Sequence, residues 1–300
     1  MPAQRTLRHA TPCTGIGLHS GQKVSIVLKP APVNHGIRFI RTDLGVEVAA
    51  TTACLGGPQQ LQTGLRQGAA AIETVEHLLS ALRSLGVDNA LIELNQPEVP
   101  IMDGSASPWV YLIQSTGTKD QGAPRKTMEI LSPVEVHEGD KRITVFPYDR
   151  FKVTYSIAFD HPLLRHQEKS LEITEQVYVD EIAPARTFGF LKDVELMRQR
   201  GLALGGSLDN AIVIGETGVL NQLRFDDEFV RHKMLDVIGD LALMGHPIRG
   251  HVVVQRGGHA LHTKFASELL RQRDAWRLVD ASEPTAAPVA ARVPARSLSR

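Results

Sequence analysis

Residues 229–244 read FVRHKMLDVIGDLALM, and this stretch decides how the second half of the chain folds. Apolar side chains at positions 230, 234, 237, 238, 241 and 244 recur with helical spacing, which predicts a long helix with one buried face. His232 and Asp236 are four residues apart on that helix, so both side chains project from the same side. An imidazole and a carboxylate placed in this way can share one divalent ion. For an isolated pair of this kind, an exposed polar contact is the commoner interpretation.

The sequence on either side of this helix indicates strands followed by helices in both halves of the chain. Alternating or apolar runs predict strands, and apolar stripes predict further helices. The predicted strands are 22–28, 36–41, 89–94, 128–136, 142–148, 151–159, 210–214 and 251–255. The predicted helices are 74–85, 109–114, 194–200 and 260–276. This order favours an α+β fold with layered sheets and helices.

The polar segment 117–126 contains few apolar residues and is the predicted domain boundary. We therefore expect an N-terminal α+β domain over residues 1–120 and a C-terminal α+β domain over residues 127–280. The remaining residues, 281–300, are rich in Ala, Pro, Ser and Arg and contain no aromatic side chain. This composition predicts a disordered tail.

The overall composition excludes several classes of protein. Among the 300 residues, 33 Lys and Arg balance 33 Asp and Glu, so the chain lacks the basic excess of a non-specific nucleic-acid binder. Two cysteines cannot form a disulfide framework, which favours a reducing compartment such as the cytoplasm. There is no apolar run of about 18 residues, so no transmembrane segment is expected. No protein partner can be deduced from the sequence.

Two further motifs contain residue types that are common in hydrolase sites. Glu76 and His77 are neighbours at the start of a predicted helix, where one could bind a metal and the other could contact a water. His259 follows two glycines after a predicted buried strand, where it could act as a general acid or stabilise an oxyanion. Taken singly, a Glu-His pair is more often ordinary polarity on a helix surface, and His259 is equally compatible with a loop histidine near the start of a helix.

Together, these motifs belong to an ordered set. The set consists of Gly15–Gly21 (GIGLHSG), Thr74–Leu78 (TVEHL), Pro100–Ala106 (PIMDGSA), Ala185–Phe190 (ARTFGF), Asp227–Asp236 (DEFVRHKMLD) and Gly258–Leu261 (GHAL). Over residues 3–280 the chain strongly resembles the UDP-3-O-acyl-N-acetylglucosamine deacetylases, the zinc amidases of lipid A biosynthesis. Two segments depart from the family pattern, namely the Gly- and Gln-rich segment 55–71 and Pro184 before the ARTF motif.

The resemblance implies a fold, a metal centre and a substrate. The fold is two α+β domains that pack their helices together, each with a small insertion, with the active site between them. One catalytic zinc ion per chain would be bound by His77, His232 and Asp236, although iron(II) could occupy such a site. The substrate would be a UDP-linked acylated glucosamine that loses its N-acetyl group.

The resemblance also assigns roles to five further side chains. Glu76 would be the general base for the attacking water, and a protonated His259 would assist the oxyanion or the leaving amine. Asp240 would orient His259, Thr187 would donate a hydrogen bond to the oxyanion, and Lys233 would supply positive charge near the substrate.

Other expectations concern the substrate and the alternative functions. The second-domain insertion, near residues 188–214, would form a hydrophobic passage for the acyl chain, and His19 and Phe188 are candidate substrate contacts. Two alternatives remain open from the sequence. One is a metal-dependent amide hydrolase on the same scaffold with a different substrate, and the other is a non-catalytic protein in which the metal is structural.

Overall fold

The computed structural model describes residues 2–281, and the first half of this range builds one main sheet and two helices. The strands are β1 (Ala3–Leu7), β2 (Thr11–Ile16), β3 (Lys23–Pro30), β4 (Ile37–Arg41), β5 (Val46–Ala49), β6 (Leu65–Gln67), β7 (Ala70–Ile72), β8 (Ala90–Leu94) and β9 (Thr118–Pro124). The helices are α1 (Glu76–Ser84) and α2 (Ser107–Thr116), and a 3-10 turn spans Thr52–Cys54. The predicted tail lies outside the described residues except for Ala281.

The main sheet of the first half has the order β2-β3-β8-β4-β5. Only β4 and β8 run parallel in it, and the other neighbours are antiparallel. Along β3, Val24, Ile26 and Leu28 are buried, and their period of two places them on one face of the sheet. This alternation is the pattern that predicted the strand from sequence. Two small sheets, β1-β9 and β6-β7, flank the main one.

The second half contains a larger mixed sheet and four helices. The strands are β10 (Lys126–Ile130), β11 (Val134–Glu138), β12 (Lys141–Phe146), β13 (Phe151–Ile157), β14 (Gln167–Glu172), β15 (Phe188–Phe190), β16 (Ile212–Ile214), β17 (Ile248–Gln255) and β18 (Trp276–Asp280). The helices are α3 (Glu175–Val177), α4 (Leu191–Gln199), α5 (Glu228–Leu241) and α6 (His259–Arg271). Short 3-10 turns span Pro162–Leu164, Ala242–Met244 and Arg273–Ala275, and a π-helical turn spans Tyr178–Ile182.

The long strand β17 organises this second sheet. It pairs parallel with β10 and β13 and antiparallel with β12, while β18, β11 and β14 extend the sheet outward. The short parallel pair β15-β16 stands apart and, with α4, forms an insertion before α5. Within residues 2–281 no helix is both long and apolar enough to cross a membrane.

The helices of the two halves pack directly against each other. Helix α1 packs on α5, α5 packs on α6, and α5 and α6 also contact strands of the second sheet. The α1–α5 contact is unusually close, because a β-carbon on Gly239 would lie 2.1 Å from the Glu76 carbonyl oxygen. The predicted α+β class is confirmed. The domain division at residues 120 and 127 remains a prediction.

The polar segment 117–126, the predicted domain boundary, contains strand β9, which pairs antiparallel with β1. Two local predictions were wrong. The single strand expected over 128–136 is two strands, β10 and β11, which belong to different parts of the sheet. The helix expected over 260–276 ends at Arg271, and Trp276 begins β18 because residues 276–280 pair with β10.

Candidate active site

The N-terminus of α1 and the middle of α5 bring His77, His232 and Asp236 together in the interior. The Nε2 atoms of His232 and His77 lie 3.2 Å and 3.8 Å from Asp236 Oδ1. One potential ligand atom from each residue lies within 4.8 Å of the others, and all three side chains are buried. Residues 155 positions apart in sequence (His77 and His232) thus face the same carboxylate oxygen.

The backbone just before α1 has an unusual conformation at Thr74. Thr74 has φ of 56°, a left-handed conformation that is rare for a β-branched residue. Its hydroxyl donates to Gln62 Oε1 at 2.6 Å and contacts Glu98 Oε1 at 3.3 Å, which holds the conformation. Strain of this kind is concentrated at functional sites, where surrounding contacts maintain it.

The chemistry of these side chains fits a bound divalent ion. Asp236 Oδ1 is buried and has no hydrogen-bond partner within residues 2–281, and a buried carboxylate oxygen normally requires one. His232 Nδ1 donates to the Ala185 carbonyl at 3.0 Å, which leaves its Nε2 as the free electron-pair donor. Two imidazole nitrogens and one carboxylate oxygen form a typical ligand set for zinc.

Glu76 lies beside this cluster and is itself buried. Its Oε2 accepts a hydrogen bond of 3.0 Å from the backbone N–H of Thr63. Burial raises the pKa of Glu76 to about 7; the His259 cation opposes this rise, whereas Asp240 and Asp236 add to it. A carboxylate with a pKa near neutrality is well matched to accept a proton from water.

A second buried group surrounds Asp240, one helical turn after Asp236 on α5. The Nδ1 atoms of His259 and His262 each lie 2.9 Å from Asp240 Oδ2, and the Thr63 hydroxyl donates to Asp240 Oδ1 at 2.5 Å. Burial alone would lower the pKa of His259, but Asp240, Glu76 and Asp236 outweigh it and raise that pKa to about 9. His259 Nε2 faces Glu76 Oε1 at 3.9 Å.

Lys233 and Thr187 lie on the wall of the same chamber. Lys233 Nζ donates to Asp236 Oδ2 at 2.8 Å, so its charge stabilises the ionised carboxylate. Burial would raise the pKa of Asp236, yet His232, Lys233 and His259 hold it well below the usual range.

The loop that presents Thr187 is tied to the first turn of α5. The Arg186 guanidinium, at Nε, lies 2.9 Å from Glu228 Oε1, and the Arg186 backbone N–H donates to the same oxygen at 3.0 Å. The Thr187 backbone N–H donates to the Gly104 carbonyl at 2.8 Å. Gly104 has φ of 84°, and a β-carbon there would lie 2.0 Å from the Asn210 carbonyl oxygen. The PIMDGSA and ARTFGF motifs are therefore joined in space.

The chamber opens towards a larger apolar cavity. The chamber has a volume of about 130 Å³, and the apolar cavity has about 430 Å³. His19, Phe188, Thr187, Leu18 and Leu61 line both of them. The rest of the apolar lining comes mainly from α4 and the flanking segments of the insertion, over residues 189–220. Both ring nitrogens of His19 are buried and have no partner within the described part of the chain.

Sequence reasoning missed Thr63 and His262. Thr63 links Glu76 to Asp240, because its backbone N–H donates to Glu76 and its hydroxyl donates to Asp240. It lies in the Gly- and Gln-rich segment that departs from the family pattern. His262 had no partner in sequence, although its spacing of three from His259 on a predicted helix was a usable signal.

Comparisons with known proteins identify relatives of this chain. Residues 4–271 match the sequence profile of the UDP-3-O-acyl N-acetylglycosamine deacetylases. Proteins called UDP-3-O-acyl-N-acetylglucosamine deacetylase from Pseudomonas entomophila, Alcanivorax borkumensis and Hahella chejuensis are each 49% identical over 295 residues. Each alignment covers 96% of this chain and 97% of the relative.

The chain is a member of the UDP-3-O-acyl N-acetylglycosamine deacetylase family.

The match to this deacetylase family includes every candidate site residue from Glu76 to His259, the whole first main sheet and all strands of the second main sheet except β18. The resemblance expected from the six motifs is thereby confirmed. The family is metal-dependent, and the buried His77–His232–Asp236 group is a place where this deacetylase chain could bind the ion.

Proposed function

We propose that this chain hydrolyses the acetamide of UDP-3-O-acyl-N-acetylglucosamine in lipid A biosynthesis, releasing acetate and the free amine, with one zinc ion at His77, His232 and Asp236. The reaction and the substrate in this proposal are supported by membership of the family. One observation of the site carries the mechanism: Asp236 Oδ1 has no hydrogen bond, faces two imidazole nitrogens and lies in a chamber that also contains Glu76.

The donor set favours zinc, although iron(II) also accepts nitrogen and oxygen ligands. Zinc in such a site supplies a Lewis acid for the amide carbonyl and lowers the pKa of a water to about 7. His232 is held for this task by its Nδ1 bond to the Ala185 carbonyl, and Asp236 is kept ionised by Lys233. Two of the three ligands therefore have partners that fix their orientation or charge.

Glu76 is the proposed general base. It accepts a proton from the attacking water at Oε1, because Oε2 already accepts the Thr63 N–H. Burial, together with the Asp240 and Asp236 carboxylates, raises its pKa to about 7 against the opposing His259 cation, so the carboxylate is basic enough to take the proton.

His259 is the proposed general acid. Asp240 accepts the Nδ1–H and keeps the ring oriented, so that Nε2–H points towards Glu76 and Asp236. With a pKa of about 9 the ring is protonated at neutral pH and can donate to the departing amine nitrogen. The acid and the base are thus separate groups, with His259 Nε2 and Glu76 Oε1 3.9 Å apart.

Thr187 and Lys233 complete the proposed chamber. The Thr187 hydroxyl is a donor for the oxyanion that forms at the carbonyl, since the residue lines the chamber beside Phe188. Lys233 contributes positive charge to the same wall, 5.4 Å from the centre of the Phe188 ring.

The apolar cavity of the insertion is the proposed passage for the 3-O-acyl chain. It opens from the chamber at His19, Phe188 and Leu61, so an acyl group on the sugar ring can enter it while the acetamide stays at Glu76. We also propose a cytoplasmic location, because Cys13 and Cys54 are both free and a reducing compartment preserves thiols.

The decisive experiment compares Glu76→Ala with Glu268→Ala, a partly exposed carboxylate on α6, in metal-loaded protein. We expect Glu76→Ala to retain one metal ion per chain and a native circular dichroism spectrum. It should release amine from the UDP-sugar at least about 100-fold more slowly than wild type, whereas Glu268→Ala should match wild type. Wild-type activity in Glu76→Ala would show that Glu76 is not the base. Failure of the wild-type protein to release amine from this substrate would overturn the function.

A further inference from the structure

A separate cavity of about 270 Å³ lies at the C-terminal end of α1. Arg5, Arg83 and Arg125 line it together with His246 and Glu175. Its apolar wall is formed by Phe151, Ile173, Ile238, Leu241, Ala242, Pro247 and Ile248. Three guanidinium groups against one carboxylate make this lining positive.

Arg83 is the unsatisfied member of the group. Its Nε and Nη1 atoms are buried and have no hydrogen-bond partner within residues 2–281, and the same holds for the hydroxyl of Ser84 beside it. Only Nη2 is bonded, to the Ala242 carbonyl at 3.3 Å. A buried charged donor without an acceptor is costly, so such a group normally has a partner. Burial lowers the pKa of Arg83 to about 10, with Arg125 adding to the effect and Asp88 opposing it.

The neighbouring carboxylates are already engaged. Asp88 accepts from Arg125 Nε at 2.9 Å and from the Arg5 backbone N–H at 3.0 Å. Arg5 Nε pairs with Asp120 at 3.6 Å. The bare backbone of Gly86 keeps this side open, because a β-carbon there would lie 3.2 Å from Arg5 Nη1 and 3.3 Å from Arg125 Nη1.

We propose that this cavity is an anion-binding site in which Arg83 holds a phosphate or carboxylate oxyanion. Nε and Nη1 are the two guanidinium donors of Arg83 without an acceptor within residues 2–281, and both kinds of oxyanion accept charge-assisted hydrogen bonds from such donors. Ser84 supplies a further donor, whereas the charges of Arg5 and Arg125 are balanced by Asp120 and Asp88. The volume suits inorganic phosphate or a short carboxylate whose hydrocarbon part lies against Ile238 and Leu241.

The site is distinct from the catalytic chamber. Arg83 follows Glu76 by seven residues on α1, a separation of about 10 Å along the helix axis. The two cavities share no lining residue. Both are nevertheless built on α1 and α5, so an anion held at Arg83 would contact the two helices that carry the metal ligands.

The test uses metal-loaded full-length protein and titrates inorganic phosphate and propionate separately by calorimetry, at constant ionic strength. The variants are Arg83→Met, which keeps an apolar stem without the charge, and Arg271→Met, a matched charge loss on the exposed face of α6. We expect at least one anion to bind wild type and Arg271→Met equally, and to bind Arg83→Met at least tenfold more weakly. Deacetylation by Arg83→Met in the absence of anion should match wild type.

A second measurement does not depend on a variant folding. In wild-type protein labelled with ¹⁵N-arginine, the Arg83 Nε–H resonance should shift on titration with the same anion and saturate at the calorimetric affinity. Equal binding by Arg83→Met and wild type would overturn the proposal, because the anion would then sit elsewhere, for example on the catalytic metal. An Arg83 resonance that does not move with either anion would also overturn it. A response to phosphate alone or to propionate alone identifies which oxyanion the site prefers.

Discussion

Asp236 and Asp240 lie one turn apart on α5 and each has two histidines beside it, yet the hydrogen bonds to their carboxylate oxygens differ. Asp240 has donors on both oxygens, from Thr63 on Oδ1 and from His259 and His262 on Oδ2. Asp236 receives Lys233 on Oδ2 but has no hydrogen bond on Oδ1 within the described residues.

This difference teaches that residue type and spacing do not by themselves define a metal site. Both groups contain two histidines and one aspartate at distances compatible with an ion. A cation at Asp240 would have to displace hydrogen bonds that already satisfy the carboxylate, whereas a cation at Asp236 would satisfy a bare oxygen. We therefore expect the group around Asp236 to bind the metal and the group around Asp240 to keep His259 protonated.

The largest effect is expected when one histidine is removed from the Asp236 group and compared with removal of one from the Asp240 group. His77→Ala should weaken metal binding by more than about 100-fold, since it removes one of three protein ligands. His262→Gln should keep one metal ion per chain. Elemental analysis after gel filtration measures both. Full occupancy in His77→Ala, or equal metal loss in the two variants, would contradict the assignment.

Asp240→Asn should lower activity without removing the metal. The amide cannot stabilise the His259 cation as the carboxylate does, so the pKa of His259 falls and less of the acid is protonated at neutral pH. We expect kcat/KM to drop by about 100- to 10,000-fold, the range of a lost general acid. Single-turnover amine release with parallel metal analysis measures this. Metal loss matching that of His77→Ala would erase the distinction between the two aspartates.

The dependence of the rate on pH should be bell-shaped. Glu76 must lose its proton, so activity rises as the pH increases through its pKa of about 7. His259 must keep its proton, so activity falls as the pH increases through its pKa of about 9. A bound cation lowers both values by favouring the less positive forms. On the acidic and alkaline limbs, the rate should change about tenfold per pH unit. A kcat/KM that stays flat between about pH 5 and 9 would contradict the assignment of Glu76 as base and His259 as acid.

The smallest expected effect concerns Thr63. Thr63→Val removes the hydroxyl donated to Asp240 but keeps the backbone N–H that contacts Glu76, so we expect about a tenfold loss of kcat, equivalent to one hydrogen bond. Thr63→Ser should restore most of the rate, and KM should change little in both variants. A Ser variant as slow as the Val variant would mean that Thr63 acts through packing alone.

Much of the site was predictable because its signals are local. The period of residues 229–244 predicted α5, and the spacing of His232 and Asp236 placed both on one face. The joining of these residues to Glu76, His77 and His259 was not visible in any one segment. It came from the resemblance carried by six motifs.

The features that sequence reasoning missed depend on pairing between distant segments. Strand β9 is polar and solvent-facing, and it is a strand because β1 lies beside it. Trp276 was predicted to lie in a helix but begins strand β18, because residues 276–280 pair with β10. Thr63 lies in a segment without periodicity. Its two hydrogen bonds form only because α1 and α5 bring Glu76 and Asp240 within its reach.

The insertion has a consequence for how this enzyme responds to its ligand. Helix α4 has no buried residue, and Leu191, Leu208 and Leu220 on the cavity wall are 41%, 48% and 51% exposed. An acyl chain entering the cavity would supply apolar contacts that α4 and these leucines lack, contributing about 0.8 kcal/mol for each buried methylene. The substrate would thus extend the small core that Ile212 and Ile214 form in residues 188–220. Amide hydrogen exchange there should slow with the acylated sugar nucleotide and stay unchanged with its deacylated counterpart.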